Sequence, residues 1–296
     1  MQTENTQETN MAREAKTTLV LGGTGKTGRR VVERLEARGI PVRVGSRSGE
    51  PPFDWEDPDT WAPALDKVGA VYVSYAPDLA VPGAVEAVRS FAELAVENGV
   101  RRLVLVSGRG EEEAQRAELV VREVSEEAGA EWTVVRCSFF NQNFSENYLL
   151  EPMLGGEVAV PAGDVPEPFV DAEDIADVAA AALTEEGHAG QLYELTGPRL
   201  LTFEEAVGEI ARAAGREIRY VQISVEEYAA MLAEYEVPAE YVELLTYLFG
   251  EVLDGRNAHL TDGVRRALGR EPRDFSDYAR DAASTGVWGG VRDGGR

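Results

Sequence analysis

A strand-like run that breaks off into glycines and resumes as a helix constrains this chain more than any other feature. Residues 17–21 (TTLVL) are β-branched and apolar and end in Gly22-Gly23-Thr24-Gly25-Lys26-Thr27-Gly28. Such a run suits a strand buried on both faces, as in a parallel sheet. Residues 28–38 follow with Val31, Val32 and Leu35 at helical spacing and a stop at Gly39, and 42–44 reads as a second strand. The unit has the length a right-handed β-α-β crossover needs. Its glycines satisfy G-x-G-x-x-G at Gly23, Gly25 and Gly28, and G-x-x-G-x-x-G at Gly22, Gly25 and Gly28. Small residues let the backbone turn tightly against a pyrophosphate, whose charge meets free N–H groups at the helix start, while Gly28 lets the helix lie close to the strand. A dinucleotide is the expected ligand.

Two other glycine loops fit less well. Gly25-Lys26-Thr27 looks like the end of a P-loop, but the first glycine of that motif falls on Val20, inside the strand. A methyltransferase wants an acid at the end of the second strand. That strand runs out in Ser46-Arg47-Ser48, with no Asp or Glu where an NAD-binding acid would grip the ribose. Arg47 between two hydroxyls suits a 2′-phosphate, with Lys26 as a second positive charge, so NADPH is expected over NADH.

The alternation continues with strands at 70–74, 102–107, 132–136 and 191–195 and helices at 84–98, 113–127 and 174–184. The sum is a doubly wound α/β parallel sheet. After 198 the rhythm changes to helices: Thr202 and Glu205 form a capping box, then come a strand at 218–223 and helices near 225–236, 239–253 and 262–267. The stripe from Tyr228, Met231 and Leu232 to Leu248 and Phe249 either packs on the sheet or in part roofs an apolar cleft. The domain reading is a polar tail at 1–16, a dinucleotide-binding domain at 17–197, a smaller, mostly helical region at 198–283 and a glycine-rich tail at 284–296.

Charge and composition narrow the partners. The 296 residues carry 29 Lys+Arg against 53 Asp+Glu, a formal charge of −24 that repels nucleic-acid phosphates. The most apolar stretch, 175–183, is interrupted by Asp177 and falls far short of the ~18 residues of a membrane span. The N-terminus lacks the apolar centre of a signal peptide, so a cytoplasmic protein is expected. Cys137 is the single cysteine, and His188 and His259 lack metal-ligand spacing, so no metal site is expected.

Several motifs in order resemble one family. Gly22-Gly23-Thr24-Gly25-x-Thr27-Gly28, Trp132-Thr133-Val134-Val135-Arg136, Phe140-x-x-Asn143, Pro168-Phe169-Val170-Asp171-x-x-Asp174-Ile175-Ala176 and Leu195-Thr196-Gly197 resemble the NmrA-like branch of the atypical short-chain dehydrogenases/reductases. Asp54-Trp55 and Asn141-Gln142-Asn143-Phe144 lean toward its ergot-alkaloid iminium reductases and NADPH:quinone reductases. The resemblance implies a Rossmann-type sheet under a substrate-covering C-terminal region. It further implies Asp54 and Trp55 at the adenine, Tyr75, Ala76, Pro77, Ser107 and Gly108 flanking ribose and nicotinamide, and Cys137, Ser138 and Phe139 approaching the nicotinamide.

One departure is informative. Short-chain dehydrogenases generally protonate a carbonyl through Tyr-x-x-x-Lys, the lysine lowering the phenol's pKa. None of the ten tyrosines here has a lysine four residues on, and no lysine follows Lys67. Three consequences compete. The acceptor needs little acid catalysis, as an iminium, quinone or enone does, and positioning supplies the rate. Alternatively Tyr75, Ser107, Asn143 or Tyr148 is a substitute donor, which keeps a polycyclic ketone possible. Or the protein senses NADP(H) without turnover, as regulatory members of the family do. In each donor's case a plainer role competes: Ser107 on the ribose, Asn143 capping backbone, Tyr75 stacking. Asp171 and Asp174 suit a turn and a helix start, and Arg136 a brace. The expected partner is a small hydrophobic aromatic or polycyclic metabolite lodged near Phe139, Phe140 and Tyr148, and the chain is expected to be a monomer or homodimer.

Overall fold

The computed structural model describes residues 16–289, so the tail expectations over 1–15 and 290–296 lie outside the described residues. Its strands are β1 (Thr17–Leu21), β2 (Val42–Gly45), β3 (Val68–Val73), β4 (Arg102–Gly108), β5 (Glu131–Cys137), β6 (Glu157–Val160), β7 (Gln191–Leu195) and β8 (Arg219–Gln222). Helices α1 (Lys26–Ala37), α2 (Trp61–Ala64), α3 (Ala84–Glu97), α4 (Glu112–Ala128), α5 (Asn143–Glu146), α6 (Leu150–Gly155) and α7 (Ala172–Thr184) lie within the sheet half. They are followed by α8 (Phe203–Ala214), α9 (Val225–Glu234), α10 (Ala239–Tyr247), a π-helical turn (Leu248–Val252), α11 (Gly263–Leu268) and α12 (Phe275–Ser284).

Six strands form one parallel sheet in the order β2-β1-β3-β4-β5-β7, the expected doubly wound fold. Strand alternation divides the core: Leu19, Leu21, Val71, Val73 and Leu103 pack with Phe91 on the α3/α4 face. Val20, Tyr72, Val104 and Val135 pack with Val31 and Ile175 on the α1/α7 face. Because both faces are covered, the strands read as continuous apolar runs rather than alternating ones. The chain reverses direction between β1 and β3, and a crevice opens at such a switch point beyond the carboxyl ends. Register aligns that edge, pairing Leu21 with Gly45, Ser107 with Arg136 and Gly108 with Cys137.

A third apolar cluster lies beyond this edge. It joins Phe144, Met153, Val158 and Phe169 to Phe203, Tyr228, Phe249 and Phe275, so it draws on chain before 198 as well as after it. β6 pairs in parallel with β8 as a separate ribbon, and the capping box at Thr202 and Glu205 starts α8 as expected. Two expectations are corrected. The helix expected over 239–253 ends at Tyr247, where the π-helical turn re-aims Phe249 into the third cluster. The tail expected from 284 is overturned over 284–289: Trp288 is fully buried, lies edge-on to Tyr278, and its Nε1 donates to the Phe144 carbonyl at 2.8 Å.

Ion pairs clamp α1 in place. Arg30 reaches Glu146 at 2.7 Å and Glu173 at 2.6 Å, and Arg34 reaches Asp177 at 2.9 Å. Both acids are structural, but in other roles than expected: Asp171, expected in a turn, caps α7 by accepting Glu173 N–H, and Asp174, expected to start the helix, is shut from solvent and takes Arg270 and Arg273.

Candidate active site

The glycine loop is a built cradle. Gly22 adopts φ +61°, and its carbonyl accepts Gly25 N–H at 2.8 Å. A Cβ on Gly28 would lie 2.1 Å from that carbonyl, so only glycine lets α1 approach this closely. Tyr72 Oη donates to Thr27 Oγ1 at 2.8 Å, tying β3 to the helix start. No side chain caps α1 and no acid occupies its first turn, which leaves its N–H groups and positive dipole end for an anion. These residues fit the pyrophosphate of a dinucleotide. Thr24, Gly25, Lys26 and Arg29 line an outer recess beside the loop; Arg29 carries no sequence motif that would have marked it.

The cradle opens into a cavity of about 1030 Å³. Gly22, Gly25, Lys26 and Thr27 form one end, and Tyr75, Ala76, Pro77, Ser107, Gly108, Cys137, Ser138 and Phe139 line the sheet edge. Asn143, Tyr148, Tyr228, Met231, Tyr241 and Leu248 line the side farther from the sheet. The helical stripe thus roofs a cleft as well as packing. Behind Phe139 stand Phe203 and Phe249, with ring centroids 5.3 and 5.7 Å away.

The remaining expected cofactor residues lie outside this chamber. Ser46, Arg47 and Ser48 follow β2, with Arg47 exposed and its partners Ser46 and Ser48 3.5 Å apart through their hydroxyls. Trp55 stands behind Tyr75, rings 4.9 Å apart, with its Nε1 donating to the Ser74 carbonyl. Asp54 turns its carbonyl to Trp61 Nε1 at 2.7 Å. Lys26 is the correction here: its Nζ donates to Asn143 Oδ1 at 2.6 Å and sits over the Phe140 ring, on the β5 side rather than toward Arg47. Burial, partly offset by Glu146 and Asp78, brings this amine down to about 8.

The four donor candidates differ in what their protons are bound to. Ser107 Oγ donates to Glu118 Oε1 at 2.6 Å, and Glu118 is held by Arg136, so this proton is committed away from the cavity. Arg136, expected to brace the loop after its strand, instead ties β5 to α4 through Glu118. Asn143 spends its Oδ1 on Lys26. Burial raises Tyr75, which rests on Trp55. Tyr148 Oη is shut from solvent and has no hydrogen-bond partner among the described residues; burial first, then Tyr228 and Asp78, pushes its phenol well up. The Cys137 thiol is raised by burial and stays neutral.

Sequence reasoning missed five acids on the cavity wall, Glu151 and Glu157 among them. Asp78 and Glu111 line it near Gly108, and Glu167 lines it below Phe139. Burial, opposed by Phe139 N–H, Arg109 and Ser138, lifts Glu167 to about 7. Burial and then Asp78 drive Glu111 well above the usual carboxylate range. Arg109, fully enclosed, holds Glu194 at 2.7 Å and Ser138 Oγ at 2.9 Å and so fixes the wall beneath them.

A nucleotide cradle emptying into an aromatic chamber at the switch point of a parallel sheet is the layout of a dinucleotide-dependent oxidoreductase. The NmrA-like family model matches residues 52–279, and the chain belongs to that family. It is 32% identical to agroclavine dehydrogenase of Claviceps fusiformis over 92% of this chain and 98% of that protein. It is 30% identical to an NAD(P)H azoreductase of Xenophilus azovorans over 90% of this chain and 98% of that one. Among solved structures, Citrobacter sp. triphenylmethane reductase complexed with NADP(H) superposes with a TM-score of 0.72 at 19% identity, covering 90% of this chain and 99% of that one. The protein is an NAD(P)-dependent oxidoreductase of this family.

Proposed function

We propose that the protein is an NADPH-dependent reductase acting on a hydrophobic conjugated acceptor of secondary metabolism: a polycyclic ketone, quinone, enone or iminium. One observation carries the reading. The phosphate cradle and the aromatic chamber are a single continuous cavity, so a dinucleotide held at Gly22, Gly25 and Gly28 shares its space with an apolar guest. When bound, the reduced dinucleotide supplies a hydride from nicotinamide C4.

The chain's own residues do the rest. The α1 N-terminus, with Thr24 and Thr27, holds the pyrophosphate, and Arg47 with Ser46 and Ser48 takes the 2′-phosphate. Asp54 and Trp55 border the adenine. Tyr75, Ala76, Pro77, Ser107 and Gly108 flank the ribose and nicotinamide, with Ser107 Oγ accepting because its proton points to Glu118. Cys137, Ser138 and Phe139 close the β5 side. Lys26 fixes Asn143, leaving the amide N–H₂ for acceptor or cofactor. Tyr148 lends its ring to the chamber wall. The names of the two relatives, a dehydrogenase of an alkaloid and a reductase of azo compounds, agree with an extended π-system in the chamber.

NADPH oxidation measured against a panel of quinones, preformed iminium ions and polycyclic ketones tests this. Consumption with at least one class is expected. Tight NADP binding with no turnover on any class, together with a stably co-purifying protein, would establish the regulatory reading instead.

A further inference from the structure

The missing phenol–lysine couple leaves the source of the proton unassigned, and Ser107 cannot be that source while its hydroxyl is turned to Glu118. The cavity wall holds another acid. Glu111 precedes α4 at the N-cap position, yet its side chain makes no cap bond. Instead its carboxyl folds back onto the sheet edge: a Cβ on Gly108 would meet Glu111 Oε1 at 1.8 Å. There it lines the cavity with Ser107, Gly108 and Asp78. Two carboxyls on one wall favour the protonated form of the more buried one.

Asp78 Oδ1 accepts Ala80 N–H at 2.9 Å, whereas Glu111 is almost wholly buried, and burial first and then Asp78 hold the Glu111 carboxyl well above the usual carboxylate range. The neighbours that face this carboxyl are Asp78, Glu118 on α4, Cys137 on β5 and Tyr247 on α10. None carries positive charge, so nothing among them favours an ionised Glu111 except the α4 helix terminus, which burial outweighs. Tyr148 lines the same cavity through its ring, while its Oη is shut from solvent.

We propose that Glu111, beside Asp78 on the cavity wall, is the general acid of this site. This rests on the reductase reading above. For a neutral C=O, the carbon takes the hydride, the π pair moves to oxygen, and oxygen takes the proton from the Glu111 carboxyl, leaving a carboxylate. Water then restores the proton through the half-exposed Asp78. A preformed iminium ends as a neutral amine on hydride addition alone and draws no proton from Glu111. The acid pair therefore extends the site to neutral acceptors.

The test compares wild type, Glu111→Gln and Asp78→Asn. In the cofactor-free protein, the infrared carbonyl band of a protonated carboxyl should persist at neutral pH and lose intensity in E111Q. With NADPH, the rate on a quinone or polycyclic ketone relative to a preformed iminium should fall by about 100- to 1000-fold in E111Q, the range general acids supply. In wild type, turnover of the neutral acceptor should decline as pH rises past the Glu111 titration, and D78N should move that decline to lower pH by removing the like charge. An E111Q rate ratio equal to wild type, no lost infrared band, or an unmoved decline in D78N overturns the proposal while the reductase reading stands. A wild type that oxidises NADPH with no acceptor overturns both.

Discussion

Replacing Gly28 by alanine tests the cradle directly. The new Cβ would lie 2.1 Å from Gly22 O, 2.6 Å from Gly22 C and 2.9 Å from Gly23 Cα. All three atoms are backbone, so no rotamer change relieves the clash. Ordinary contacts between carbon atoms begin near ~3.5 Å, so α1 must retreat from the loop by roughly 1 Å. Overpacking of this kind costs about 1–3 kcal/mol, offset by about 0.5–1 kcal/mol from alanine's better helix propensity. The expected net loss of stability is about 0.5–2 kcal/mol. The larger effect falls on NADPH, because the retreating N–H groups are those that face the pyrophosphate; about 1–3 kcal/mol there is a roughly 5- to 150-fold rise in Kd. Fluorescence titration with NADPH, beside thermal melts, measures both. Gly25→Ala is the comparison, since its Cβ meets only Gly22 O at 3.1 Å and should leave stability nearer wild type. A Gly28→Ala protein that binds NADPH within about twofold of wild type would refute the close-approach argument.

Three further outcomes follow from the same structure. Arg47→Ala should weaken NADPH by about 10- to 100-fold and NADH by no more than about twofold, since only the phosphate makes the charge-assisted bonds; equal losses in parallel titrations sink the 2′-phosphate assignment. Lys26 carries its charge below about 8 and loses it above, so beyond that point it holds Asn143 less firmly and kcat/KM should fall by up to about tenfold per pH unit. Lys26→Met should flatten the profile, and a wild-type kcat/KM that holds constant well above that pH removes Lys26 as the group that fixes Asn143. Trp288→Ala should cost about 3–5 kcal/mol in urea unfolding, because a fully buried indole and its bond to Phe144 are lost; a loss below about 1 kcal/mol would mean that residues 284–289 are not core.

The sheet was legible because its signals are local. β1 matches the expected run over 17–21, since a strand buried on both faces writes its apolar character without interruption, and β7, an edge strand, matches the run expected over 191–195 through its alternation. Thr202 and Glu205 announce α8 because a capping box is a short-range hydrogen-bond pattern. What stayed hidden depends on distant partners. β6 has four residues and becomes a strand only by pairing with β8, some sixty positions on. α12 and Trp288 are ordered by Phe144 and Tyr278 rather than by their own glycine-rich surroundings.

The site divides along the same line. The glycines stand in a local strand–loop–helix spacing, whereas Glu111 opens an acidic run, Glu111-Glu112-Glu113, that reads as a solvated helix start. Only the fold turns the first of the three inward against Gly108. Lys26 was read by its place in the loop, and its actual direction is set by Asn143, 117 residues away.

Direct passage of hydride within one cavity is the centre of this account. NADPH carrying deuterium at nicotinamide C4 should, on reaction with a preformed cyclic iminium, give an amine with one deuterium on the former iminium carbon, as read by mass spectrometry and NMR. Product that gains its hydrogen from solvent, or NADPH that is left unoxidised by every iminium, quinone and ketone offered, would contradict it.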